Sequence, residues 1–227
     1  MRLDALRILR DDRAVAAVLH PRFPFHGRVT PARASAGCFA GVAVLWLLVE
    51  YVGPFPGDKR AVAAAANGPP IGRDLQIVTF FGELGTEAVA AMTVLVACAA
   101  LWSALGMRAA AWVLGASLAV LANDALKATL GTPLAFDQSG PSFPSGHVVY
   151  ATAFFGSLGW LAWCRRQREA VAVCAFAILA MGPARVLSGA HVVSDCLGGY
   201  LFGAGWLLAL AAAFGRTRRG LPLAGSL

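Results

Sequence analysis

The sequence predicts an all-α integral membrane protein: a bundle of six transmembrane helices with both termini in the cytoplasm. Of its 227 residues, 58% are hydrophobic and only 14% are charged, whereas about a quarter of the residues of a soluble domain are charged. The hydrophobic residues form six runs, each near the roughly 20 residues that a helix needs to cross a bilayer. These runs span residues 35–53, 86–106, 109–130, 146–163, 169–187 and 192–214. We therefore expect a membrane domain at 35–214, between a leader at 1–34 and a tail at 215–227.

The positions of Lys and Arg predict the orientation of this domain. With the N-terminus inside, seven of the 19 basic residues lie in 1–34, and few lie on the outer side. The outer ones are Lys59, Arg60, Arg73, Lys127 and Arg185. Because cytoplasmic loops are enriched in Lys and Arg, both termini are expected in the cytoplasm. The expected location is a plasma membrane or a bacterial inner membrane.

The leader at 1–34 has two interpretations. Its leucines recur among arginines, as in an amphipathic helix that lies on a membrane, or it is a disordered basic segment. It does not resemble a secretory signal peptide, because no apolar core arrives early. The net charge of +7 fits anionic lipid headgroups, and no basic face with interleaved aromatic residues indicates nucleic-acid binding.

Small residues in the apolar runs predict packing rather than chemistry. The five cysteines form no CxxC pair, so neither a disulfide framework nor a zinc cluster is indicated. In the last run, Gly199 and Gly203 have the GxxxG spacing of closely packed membrane helices.

Polar residues stand at the ends of the last four runs. Lys127 lies near the end of the third run and Arg185 near the end of the fifth. Ser145, Gly146 and His147 open the fourth run, and His191 and Asp195 open the sixth. An up-down bundle brings all these ends to the outer side. Since ionisable residues at membrane depth are costly, their convergence indicates a functional site.

Each of these residue types suits phosphoryl transfer. Lys127 and Arg185 can stabilise the charge on phosphate oxygens. Ser145 and Gly146 can present backbone N–H groups to an anion at the start of a helix. Their separation by four residues places His191 and Asp195 on one face of a helix, where a carboxylate can hold one imidazole nitrogen and leave the other to attack phosphorus.

His147, from a different helix, is the candidate acid for the leaving group and then the base for water. Taken singly, these residues have plainer interpretations: a solvated histidine, a snorkelling cation, a surface salt bridge, half a metal site or a simple N-cap. Their joint occurrence on one side favours the phosphoryl-transfer site.

The pattern resembles the type-2 phosphatidic acid phosphatase superfamily over residues 75–214. The signature of that family has three blocks: Lys-x6-Arg-Pro, Pro-Ser-Gly-His and Ser-Arg-x5-His-x3-Asp. The second block is intact at 144–147, and the third lacks only its first serine, which is Ala184 here. The first is degenerate, because Leu134 and Ala135 follow Lys127 where Arg-Pro is expected. Arg73 is a candidate replacement for that arginine, and Asp137 is a further candidate headgroup contact.

The resemblance implies a phosphohistidine mechanism without metal or cofactor. By position, His191 is the implied nucleophile, Asp195 its partner and His147 the acid and base. Lys127, Ser145, Gly146 and Arg185 are the implied phosphate ligands. The implied substrate is a lipid phosphate: a polyprenyl phosphate or pyrophosphate, phosphatidic acid or phosphatidylglycerol phosphate, hydrolysed on the extracytoplasmic face.

Three alternatives remain open. In the first alternative, the chain is a lipid A phosphatase or phosphotransferase. In the second, which the degenerate first block suggests, it is a non-catalytic relative that binds lipid phosphate. A transporter is disfavoured, because transporters place polar sites near the midplane of the membrane. The sequence leaves the oligomeric state open.

Overall fold

The computed structural model describes residues 30–53, 55, 57–60, 75–130 and 142–216. Within these ranges the secondary structure is helical, which confirms the predicted all-α class for them. The helices are α1 (Pro31–Tyr51), α2 (Gln76–Leu84), α3 (Glu87–Leu105), α4 (Met107–Ser117), α5 (Ala119–Leu130), α6 (Gly146–Cys164), α7 (Arg168–Leu187) and α8 (Val193–Arg216). Most of the predicted leader and nearly all of the predicted tail lie outside the described residues.

Each predicted apolar run coincides with one helix, except that the third run is divided between α4 and α5. The other five runs correspond to α1, α3, α6, α7 and α8. Five of these runs are long and apolar enough to cross a membrane. They are α1, α3, α7, α8 and the continuous pair α4–α5. The chain is thus an integral membrane protein. The first run differs slightly from its prediction, because Thr30 caps α1 by accepting a hydrogen bond from the Arg33 N–H, and α1 therefore begins at Pro31.

The remaining run, α6, is the central helix and is not among the five membrane-crossing candidates. It packs against α4, α5, α7 and α8, and most of its side chains are buried, including the polar Thr152 and Ser157. Because α6 is enclosed by other helices, it can carry polar residues that a lipid-facing helix would avoid. Large apolar side chains instead cover the outside, such as Val96 and Leu179, which are 66% and 69% exposed.

Glycines of α8 let it approach α6 closely, as the GxxxG spacing predicts. A Cβ atom at Gly199 would lie 2.8 Å from Cβ of Val148, and one at Gly203 would lie 2.6 Å from Cβ of Thr152. Neither distance is possible for real side chains, so only glycine fits here. The N-terminal half of α8 is thereby packed closely on the N-terminal half of α6.

The sequence did not predict α2, which is only nine residues long and too short to give the signal of a membrane span. Its Phe81 is 2% exposed and packs in a core cluster with Val148 and Met181. The turn after α2, the end of α5, the start of α6, the end of α7 and the start of α8 all meet at one end of the bundle. All five cysteines are described and free.

Candidate active site

His191 and Asp195 form a buried pair at this end of the bundle. Nδ1 of His191 lies 3.1 Å from Oδ2 of Asp195, and the two residues are 8% and 1% exposed. The structure differs from the sequence prediction in one respect: α8 begins only at Val193, so His191 lies in the preceding turn and not on the helix. The spacing of four still brings the side chains together. Since the carboxylate engages Nδ1, the other ring nitrogen, Nε2, is left for chemistry.

The protonation of His191 is set by opposing effects. Burial lowers the pKa of His191, while the hydrogen bond to Asp195 and its negative charge act in the opposite direction. The nearby cations Arg185 and Lys127 lower this pKa further. The imidazole is therefore kept neutral, with a lone pair on Nε2, at pH values where an exposed histidine would begin to be protonated.

The turn between α7 and α8 ties His191 to Arg185. The carbonyl oxygen of Arg185 accepts hydrogen bonds from the N–H groups of Ala190 and His191, at 3.1 and 3.2 Å. Gly189 adopts a φ of 70°, in the left-handed region that favours glycine. The backbone thus fixes the separation of the guanidinium and the imidazole.

The Pro-Ser-Gly-His block is joined to the His191–Asp195 pair through the backbone. The N–H of Ser145 donates a hydrogen bond of 3.0 Å to the carbonyl oxygen of Asp195. Ser145 is fully buried, and its hydroxyl oxygen has no hydrogen-bond partner among the described residues. The next residue, Gly146, begins α6. The Ser145 backbone and the positive end of α6 are therefore held against Asp195, the residue whose carboxylate holds His191.

His147 is held by the backbone of α2. Its Nε2 lies 3.0 Å from the carbonyl oxygen of Gly82, and because a carbonyl only accepts, this nitrogen carries the hydrogen. A Cβ atom at Gly85 would overlap the His147 ring. Sequence analysis missed both glycines, although their spacing of three just before the second apolar run was a signal of close backbone approach.

Lys127 and Arg185 supply positive charge from the last turns of α5 and α7. The Lys127 ammonium lies 3.8 Å from the position that a Cβ atom would take at Gly146. The Nε atom of Arg185 is buried, and no described residue accepts a hydrogen bond from it. A buried donor of this kind is costly unless a ligand binds to it.

One cavity of about 940 Å³ connects these groups. Its polar end is lined by Lys127, Gly146, His147, Arg185 and His191. From there it continues between α3 and the α4–α5 pair as an apolar groove, lined by Ala90, Ala91, Val94, Leu95, Leu114, Ser117, Leu118, Val120 and Leu121. The cavity can hold a molecule with an anionic head and an apolar tail.

Sequence analysis also missed Ser142 and Asn123. Ser142 lines the same cavity, is 4% exposed, and has a hydroxyl oxygen with no hydrogen-bond partner in the described part of the chain. Asn123 is fully buried, and its amide donates a 3.5 Å hydrogen bond to the Pro144 carbonyl. The signals were present, since Ser142 directly precedes Phe143-Pro144 and Asn123 lies one helical turn before Lys127.

Some sequence predictions concern residues outside the described ranges. Arg73, Leu134, Ala135 and Asp137 are among them. Within the described ranges, no three His, Cys, Asp or Glu side chains are grouped as metal ligands would be.

The fold and the site define an integral membrane protein, helical throughout its described ranges, with two histidines and two cations around one cavity. Residues 123–219 match the model of the PAP2 superfamily. The resemblance to type-2 phosphatidic acid phosphatases is thereby confirmed over this part of the chain.

Two curated relatives are lipid A 1-phosphatases. The one from Rhizobium johnstonii is 38% identical over 84 residues, which is 37% of this chain and 32% of the relative. The one from Rhizobium etli is 40% identical over 81 residues, which is 36% of this chain and 32% of the relative. The chain thus spans about a third of the length of these relatives.

A solved structure has a similar fold. It is the transmembrane PAP2-type phosphatidylglycerolphosphate phosphatase from Bacillus subtilis, with a TM-score of 0.61 and 19% identity. The superposition covers 83% of this chain and 98% of that chain.

Proposed function

We propose that this protein is a membrane phosphatase that hydrolyses a lipid phosphate monoester or pyrophosphate through a phosphohistidine intermediate. The single observation that carries the proposal is the shared cavity. Two histidines and two cations line one end of it, and the other end is an apolar groove. An amphiphilic phosphate fits both parts, whereas a water-soluble phosphate would leave the groove empty.

His191 is the proposed nucleophile. Its Nε2 lone pair attacks phosphorus while Nδ1–H remains hydrogen-bonded to Asp195. The bond between this phosphorus and the leaving oxygen breaks, and a phosphohistidine forms. The leaving group is the lipid alcohol in a monoester and the lipid monophosphate in a pyrophosphate. The negative charge of Asp195 stabilises the positive charge that develops on the imidazole ring.

His147 is the proposed acid and base. As imidazolium it gives a proton to the leaving lipid oxygen, and as neutral imidazole it then takes a proton from the attacking water. Water displaces Nε2 of His191, which restores the free enzyme and releases inorganic phosphate. The Gly82 carbonyl, 3.0 Å from Nε2 of His147, orients the ring for both steps.

The phosphate oxygens are proposed to bind Lys127, Arg185, the Ser145 hydroxyl and the N–H groups at the start of α6. Nε of Arg185 and the hydroxyl of Ser145 support this assignment, since both are buried polar groups to which no described residue is hydrogen-bonded. Positive charge and a helix N-terminus together stabilise the transition state of phosphoryl transfer.

The orientation and the substrate complete the proposal. Six helices with both termini in the cytoplasm, as the Lys and Arg distribution indicates, place the site on the extracytoplasmic face. A polyprenyl phosphate or pyrophosphate, phosphatidic acid and phosphatidylglycerol phosphate are candidate substrates. Lipid A 1-phosphate is a further candidate, favoured by the names of the two curated relatives.

The test measures phosphate release in detergent from each of these lipids, with EDTA present. Wild-type protein is expected to release phosphate from at least one lipid, and His191→Ala is expected to lose this activity. The matched control is His26→Ala, since His26 lies outside the three blocks. This variant is expected to release phosphate as the wild type does.

Other results would revise the proposal. Release that EDTA abolishes would contradict the metal-free mechanism. Release only when a second lipid accepts the phosphate would indicate a phosphotransferase. Binding of lipid phosphate by folded protein without any release would indicate a non-catalytic relative.

A further inference from the structure

Asp58 is a buried carboxylate outside the three signature blocks. It lies between α1 and α2, is 1% exposed, and is not among the described residues that line the cavity. Burial of an ionisable side chain is costly unless its oxygens are hydrogen-bonded. Its position therefore calls for an explanation outside the direct binding of substrate.

Both carboxylate oxygens of Asp58 accept hydrogen bonds from backbone N–H groups. Oδ1 accepts from Ser194 at 2.9 Å, and Oδ2 accepts from Phe55 at 3.1 Å. A Cβ atom at the neighbouring Gly57 would lie 3.3 Å from Cγ2 of Val193. The segment around Asp58 is thus packed directly on the first residues of α8.

This contact replaces a local helix cap. The first N–H groups of any helix lack intrahelical partners, and a Ser, Thr, Asp or Asn directly before the helix usually accepts from one of them. Here the residue before α8 is Val192, whose side chain cannot accept a hydrogen bond. Asp58 supplies the acceptor, 136 residues away in sequence, together with a negative charge that is favourable at a helix N-terminus.

The same turn of α8 contains Asp195, which contacts two residues of the proposed active site. Directly after Ser194, Asp195 holds His191 through its carboxylate and Ser145 through its carbonyl oxygen. A shift of this turn would therefore move the imidazole and the Pro-Ser-Gly-His block relative to each other.

We propose that Asp58 is a positioning residue for phosphoryl transfer: it holds the N-terminus of α8, and so keeps the His191–Asp195 pair in register with Ser145. The inference rests on the proposed function. A misplacement of about 1 Å at a reacting group can cost roughly 100-fold in rate, so the loss of this cap is expected to act on turnover.

The first test compares kcat and KM for Asp58→Ala, Asp58→Asn and a control in detergent. The matched control is Thr30→Ala, which removes the cap of α1, where the Thr30 hydroxyl accepts from Arg33 at 3.3 Å. We expect kcat of Asp58→Ala to fall roughly 10- to 100-fold, with KM changed by less than about threefold. Asp58→Asn retains one accepting oxygen and is expected to be intermediate, while Thr30→Ala retains the wild-type kcat.

A second readout does not depend on turnover. The rate at which diethyl pyrocarbonate modifies His191, followed by mass spectrometry, reports how firmly the imidazole is held. We expect it to rise several-fold in Asp58→Ala relative to wild type and Thr30→Ala. If the wild-type protein released no phosphate, the proposed function would fail, but this readout would still decide the role of Asp58.

Wild-type kcat and wild-type labelling in folded Asp58→Ala would overturn the proposal. If Asp58→Ala does not fold, Asp58→Asn is judged by the same two measurements, and wild-type values in both would overturn it equally.

Discussion

At the scale of single residues, the hydrogen bond between Asp195 and His191 leads to the first prediction. In Asp195→Asn, the amide can donate to Nδ1 and so favour the tautomer with hydrogen on Nε2, which removes the attacking lone pair. We expect kcat for the best lipid phosphate to fall by roughly 100- to 10,000-fold with the fold retained. Steady-state kinetics and thermal unfolding in detergent measure the two quantities. A fully active, folded Asp195→Asn protein would contradict the role given to this carboxylate.

The second prediction concerns the pH dependence of the same histidine. Burial lowers the pKa of His191, so the neutral nucleophile persists as pH falls, and activity is lost only below the ordinary histidine value of about 6.5. The acid limb of the kcat/KM profile, measured between about pH 4 and about pH 8, is expected to have its midpoint below that value. Because the carboxylate of Asp195 raises the pKa of His191, the residual activity of Asp195→Asn is expected to have its acid limb at still lower pH. A wild-type midpoint above about 6.5 would contradict this account.

Several residues of the site could be named from the sequence, and others could not. His147, Arg185 and His191 stand in motifs with fixed spacing. Gly82 and Asp58, by contrast, contact His147 and Ser194 across more than sixty and more than a hundred residues, at 3.0 and 2.9 Å. The partners in these contacts are set by the packing of the helices, so a local pattern such as the spacing of Gly82 and Gly85 does not identify them.

At the scale of secondary-structure elements, the contact between α6 and α8 leads to the third prediction. A Cβ atom at Gly199 would lie 2.9 Å from the Ser145 carbonyl oxygen, so Gly199→Ala must push α8 away from the Pro-Ser-Gly-His turn. We expect a loss of about 1–3 kcal/mol in the free energy of unfolding, and lower activity in the protein that remains folded. Thermal unfolding and phosphate release in detergent check both effects.

The matched control is another helical glycine. No atom of the described residues lies within 4 Å of the Cβ position at Gly37 in α1, so Gly37→Ala is expected to be neutral or to stabilise α1 by about 0.5–1 kcal/mol. Equal losses at Gly37 and Gly199 would show that the close approach of α6 and α8 is not the cause.

Long helices could be predicted from the sequence more readily than short ones. The apolar runs gave the positions of the longer helices within a few residues, because a helix in a bilayer needs many apolar residues in succession. α2 was not predicted because it has only nine residues. The break at Leu118 between α4 and α5 was not predicted because it lies inside one apolar run. Only the packing of the neighbouring helices reveals these two features.

At the scale of the whole molecule, the apolar groove leads to the last prediction. Leu121 lines the groove and is 66% exposed, so the larger side chain of Leu121→Trp would fill space proposed for a lipid tail. We expect KM for a long-chain lipid phosphate to rise several-fold, whereas kcat/KM for a short, water-soluble phosphate ester changes by less than about twofold, because the polar end of the cavity is untouched. Leu179→Trp, on the exposed face of α7 outside the described lining, is the control and is expected to leave both values unchanged. An equal effect of Leu121→Trp on both substrates would place the lipid tail elsewhere on the molecule.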